Sequence, residues 1–106
     1  MIVEYRGNPP FYSYNLDGTV LKINGNLYDL ETLRSDEEKI IDIYDEDKNY
    51  VANIIIPPNE YELLEINEQD EFGNPVFEKV LKPININKVK LIIWGKIENK
   101  KIEKEV

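Results

Sequence analysis

Alanine occurs once in this chain of 106 residues, at position 52, and that scarcity limits its folds more than any other feature. Alanine is the least costly residue in a helix, so helical proteins use it freely. Here isoleucine, valine, tyrosine, phenylalanine, threonine and tryptophan total 35 residues, while alanine, leucine and methionine total 11. β-Branched and aromatic side chains suit the pleated, half-buried surface of a sheet. The bias predicts an all-β protein.

Turn residues cut the chain at short intervals. Phe11–Asn15 reads as a short aromatic strand after Asn8-Pro9-Pro10. Asp17-Gly18 and Asn24-Gly25 are hairpin signals, because tight type I′ turns need positive φ at both central residues. Together they predict a three-stranded meander through residue 30. Ser35-Asp36-Glu37-Glu38 has the form of a capping box and predicts one helical turn. Residues 40–44 and 50–56 then read as strands joined by the turn Asp45–Asn49, and Pro57-Pro58 stops the second strand. Residues 60–81 read as a hairpin with a long acidic tip. Residues 89–97 form the most apolar strand and are expected at the centre of a sheet. Seven or eight strands at this spacing predict a small antiparallel sandwich or partly open barrel, with at most one helical turn. One β-rich domain over 1–97 and a charged tail over 98–106 are expected.

Several chemistries are excluded by residue type. There is no cysteine and no histidine, which removes disulfides, thiolate nucleophiles and imidazole bases. No G-x-S-x-G elbow, G-x-G-x-x-G or GK[ST] loop occurs. The chain is therefore expected not to be an enzyme and to need no cofactor. Nothing approaches the roughly 18 apolar residues of a spanning helix. Residues 1–7 show no basic-then-apolar leader pattern. A cytoplasmic location, or a virion-associated one, is expected.

Charge is uneven. The net charge is −8; residues 29–71 contribute −12, and residues 72–106 contribute +4. The basic end holds lysine without arginine, the usual bidentate reader of phosphates and bases, so nucleic acid is not an expected partner. Asp45, Asp47 and Asn49 reproduce the opening of a calcium loop. Its required glycine is Tyr50, however, and its closing glutamate is Ile56. An Asx turn explains the same residues. They remain the one metal candidate beside an expectation of none. Tyr12 and Tyr14, two apart on one strand face, are the candidate interaction surface. Trp94, with Ile92 and Ile93, is assigned to the core or to an oligomer interface.

Three stretches, Tyr50–Pro58, Asp70–Val76 and Lys82–Ile84 running into Leu91–Trp94, resemble short prophage-borne proteins of Gram-positive and related anaerobic bacteria. That resemblance implies a phage context and no activity. The expected function is a non-catalytic protein-binding or assembly module, working with a protein partner or by self-association. The alternatives are an acidic DNA-mimic inhibitor, with carboxylates in one row, and a carbohydrate-binding domain, with two or three coplanar exposed aromatic rings.

Overall fold

The structure, a computed structural model, describes residues 1–97; the expected tail 98–106 lies outside them. In chain order the elements are β1 (Ile2–Arg6), β2 (Tyr14–Asp17), β3 (Val20–Ile23), β4 (Asn26–Asp29), one helical turn α1 (Leu30–Leu33), β5 (Lys39–Tyr44), β6 (Tyr50–Ile56), β7 (Tyr61–Gln69), β8 (Pro75–Leu81), a 3-10 turn Ile86–Lys88, and β9 (Lys90–Trp94). The protein is all-β, as composition implied.

β1, β9, β6 and β5 form a four-stranded sheet in that order. β9 and β6 lie inside it, in keeping with their near-continuous apolar sequence. β2, β3 and β4 form the expected meander, and with α1 they cover one face of the larger sheet. Leu21, Ile23 and Leu30 from the meander and α1 meet Ile43, Ala52, Ile54, Ile56, Leu91 and Ile93 from the sheet, all buried. At about 1.5–3 kcal/mol for each fully buried large apolar side chain, this contact is what holds the body together. Ala52 sits within it at zero exposure.

Several local expectations are corrected. β1 was not foreseen, and it pairs in parallel with β9, whereas the other strand pairs are antiparallel. The first meander strand begins at Tyr14 rather than Phe11; Phe11 makes only a single bridge to Gly95. The Asn24-Gly25 turn has positive φ at both residues, as expected, but the preceding turn has it at Gly18 alone. The helical turn lies at Leu30–Leu33, capped by Asp29 rather than Ser35 and so six residues before the expected one. Asp29 caps it by accepting from the Glu31 N–H at 3.1 Å. Ser35 instead donates its hydroxyl to the Glu37 carbonyl at 2.9 Å. The β-branched residues from Ile40 onward take the chain into a strand before a helix can grow.

At the far end of β9 the chain crosses itself closely. The Gly95 N–H donates to the Arg6 carbonyl and the Lys96 N–H to the Pro10 carbonyl, each at 2.8 Å. A Cβ on Gly95 would fall on the Asn8 backbone carbonyl, so only glycine fits there.

β7 and β8 pair with each other and, among the described residues, with no other strand. They project as an arm, and the described residues extend 83 × 20 × 20 Å. The radius of gyration is 20.7 Å, against about 13 Å for a compact chain of 100 residues.

Candidate functional site

The two acidic turns share one design. In Asp45–Asn49, the Asp45 carboxylate accepts from the N–H groups of Asp47 (2.8 Å) and Asn49 (2.9 Å). In Asp70–Asn74, the Asp70 carboxylate accepts from those of Phe72 and Asn74, both at 2.9 Å. In each, the first residue's N–H donates to the fifth residue's carbonyl, and the fourth residue, Lys48 or Gly73, has positive φ. Backbone N–H donors hold the Asp70 carboxyl below its ordinary pKa. Asp45 Oδ1, expected to face a cation, is thus engaged by the turn's own backbone. Among the described residues, no group of three or more His, Cys, Asp or Glu side chains is placed to hold a metal ion.

Tyr12 and Tyr14 do come together, although not on one strand, because Tyr12 precedes β2. They line a cleft of about 370 Å³ with Lys22, Ile23 and Lys96. The Lys96 ammonium stands 5.0 Å from the centre of the Tyr12 ring. Burial raises the Tyr12 pKa, and the nearby Asp45 and Asp47 charges add to the rise. The cleft is shallow and half-covered, and its two lysines are offset by those two carboxylates.

Trp94 belongs to neither the core nor the cleft. It lies on the outer face of the four-stranded sheet, which no element among the described residues covers. Strand register arranges that face in three transverse rows. Ile2, Lys90, Ile55 and Ile40 make the first; Glu4, Ile92, Asn53 and Asp42 make the second. Arg6, Trp94, Tyr50 and Tyr44 make the third. In that last row Tyr44 and Tyr50 stack at 4.9 Å, Tyr50 and Trp94 stack at 5.5 Å, and the Arg6 guanidinium lies 6.0 Å from the Trp94 ring centre. The Trp94 indole N–H donates to Asn53 at 2.6 Å, and the Asn53 amide donates to Asp42 at 2.7 Å. Hydrogen bonding to Tyr50 pushes the Tyr44 phenol up to about 12. The rings face one another, so their stacking faces are already used. A sugar platform needs those faces open to solvent. The signal for this ladder in the sequence was the shared outward parity of Tyr44, Trp94 and their strand neighbours. A bulge in β6 opposite Ile43 and Tyr44 hid the place of Tyr50.

The hairpin expected over 60–81 is present as β7 and β8, but its isolation from the other sheets was not anticipated. Its register puts Tyr61, Leu63, Phe77 and Leu81 on one face, and Leu64, Ile66, Val76 and Val80 on the other. Leu63 is 69% exposed and Phe72, at the tip, 80%. Among the described residues, no layer packs on either face. Residues 61–81 carry six carboxylates and one lysine, with Glu62 and Glu78 on one face and Glu65 on the other. The carboxylates therefore do not form a single row.

The arm's root, by contrast, is well fastened. The Arg34 guanidinium, its side chain only 7% exposed, pairs with Glu31 and donates to the Lys82 carbonyl at 2.7 Å. The Lys82 N–H donates to the Glu60 carbonyl at 2.9 Å, and Glu60 pairs with Lys88 at 2.9 Å. The Tyr61 hydroxyl and the Asn59 amide both donate to Asp36, and they hold its carboxyl below the ordinary 3.8.

No family model matches the chain, and no curated protein or solved structure matches it either. Among the described residues no helix is long and apolar enough to cross a membrane.

Proposed function

We propose that this protein is a non-catalytic protein-binding or assembly module and that the β7–β8 arm is its docking element. One observation carries the reading: the arm holds apolar side chains on both faces of a two-stranded ribbon, and among the described residues nothing packs on either. A lone two-stranded hairpin is marginal in water, and contiguous exposed apolar surface marks interaction sites. Both outer strand edges are also open, so a partner can add a strand there through main-chain hydrogen bonds. Six carboxylates against one lysine favour a basic partner and oppose stacking of two arms. The resemblance to prophage-borne proteins favours a role in a phage particle or its assembly.

The test is quantitative retention of proteins from a lysate of the source organism on the immobilised full chain. The expected result is a discrete protein retained by the wild type and lost by the variant carrying Leu63→Glu and Phe77→Glu. An equivalent change at Leu27, exposed on the meander, should leave it retained. Equal retention by both variants, or no protein retained at all, overturns the reading.

A further inference from the structure

The outer face of the β1-β9-β6-β5 sheet poses a separate question, independent of the arm. Sheets with one solvated face alternate apolar and polar residues, whereas strands covered on both faces read as near-continuous apolar runs. β6 contains Ile54-Ile55-Ile56, and β9 contains Leu91-Ile92-Ile93-Trp94. Seven of the twelve side chains in the three outer rows are isoleucine, tyrosine or tryptophan. Ile2 and Ile40, at opposite ends of the first row, are 54% and 58% exposed. The residues are those of a covered face, and among the described residues only the other face is covered.

Charge identifies the cover. Over a surface of net −8, a second copy is repelled from most approaches. On this face the charged groups are Glu4, Arg6, Lys90 and Asp42, which sum to zero. Glu4 already bridges Arg6 at 2.9 Å and Lys90 at 2.8 Å. The cationic excess lies on β1 and β9, at one side, and the anion Asp42 on β5, at the other.

We infer that a second copy of this chain packs on the outer sheet face, related by a two-fold axis running along the strands. That operation lays β1 of each copy over β5 of the other. Ile2 then meets the second copy's Ile40, and Arg6 its Tyr44. Asp42 comes opposite Glu4, between Arg6 and Lys90, so the four charges at each contact balance. Trp94 meets Tyr50, extending the aromatic ladder into a second layer. Two sheets packed this way form an aligned sandwich about 10 Å apart. Four strands about 4.8 Å apart and five residues long span roughly 19 by 17 Å. That patch, roughly 320 Å² on each copy, is smaller than a standard specific interface and fits only a weak, reversible dimer.

Sedimentation equilibrium of the full chain from about 5 to 500 µM tests this, that range bracketing micromolar dissociation constants. The expected result is a monomer–dimer equilibrium that Ile40→Glu weakens at least about tenfold, since a charge facing apolar surface loses its water. Ile2→Lys weakens it similarly, and the two together restore it, because the new charges face each other across the axis. Both positions are half-exposed, and an unchanged far-ultraviolet spectrum confirms folding. Should Ile2→Lys displace β1, Tyr44→Ala replaces it as the single variant, again with weakening expected. The Leu63→Glu and Phe77→Glu arm variant leaves the dimer constant unchanged, which separates this inference from the arm's role. A monomer at every concentration, failure of the double variant to restore a dimer that both singles break, or dimerisation appearing only after removal of residues 98–106 overturns it.

Discussion

The body and the arm are built from the same kinds of residue and paired by the same hydrogen bonds, yet different forces hold them. In the body each strand has a second layer against it, and side chains such as Leu91 and Ile54 lose all contact with water. In the arm, Leu63, Phe77 and their neighbours gain only cross-strand contact. Strand pairing alone therefore does not make a folded unit here. The body is stable by burial, while the arm depends on its cross-strand contacts and on its root.

That contrast can be broken most severely by truncating one leucine in each region. Leu91→Ala should cost about 2–5 kcal/mol, because the cavity cannot fill. Leu63→Ala should stay within about 0.5 kcal/mol, as for surface changes generally. Denaturant unfolding of the two variants measures both. Next in size, Arg34→Ala removes the buried fork at the root and should cost about 2 kcal/mol, since hydrogen bonds from a charged donor are lost. Its signature is faster amide exchange at Lys82, whose N–H donates to the Glu60 carbonyl, with β9 unaffected.

The paired turns sharpen the comparison further. Lys48 holds positive φ where the arm's turn has Gly73. Lys48→Gly should therefore stabilise the body, or at least cost nothing, within about 1 kcal/mol, while Gly73→Ala should destabilise the arm by a similar amount. The smallest effect concerns acid. Asp36 has its pKa depressed in the folded state by Tyr61 and Asn59. Its contribution is present above the ordinary 3.8 and lost as pH falls through the lower folded value. A carbon-detected titration of Asp36 should show a midpoint below 3.8, returning towards it in Tyr61→Phe.

Most of the architecture was legible because it depends on local chemistry. The Asn24-Gly25 turn, the Pro57-Pro58 stop and the centrality of residues 89–97 each follow from a few adjacent residues. β1 was missed because five residues with mixed polarity carry little periodic signal, and their partner β9 lies more than 80 positions away. The helical turn was misplaced because Ser35 and Asp29 are both good caps, and tertiary contact through Leu30 decided between them. The candidate surfaces were legible only in part. Tyr12 and Tyr14 do line one cleft. The apolar rungs of the arm look in sequence like ordinary core residues, and only the absence of a covering layer reveals them.

Amide hydrogen exchange of the full chain, alone and with the protein it retains, tests the docking role of the arm most directly. Alone, the amides of β7 and β8 should exchange far faster than those of β6 and β9, because opening the arm exposes little buried apolar surface. With the partner present, β7 and β8 should become protected while β2, β3 and β4 stay unchanged. Protection of the arm in the isolated chain equal to that of β6, or partner-induced protection confined to the meander, would contradict it.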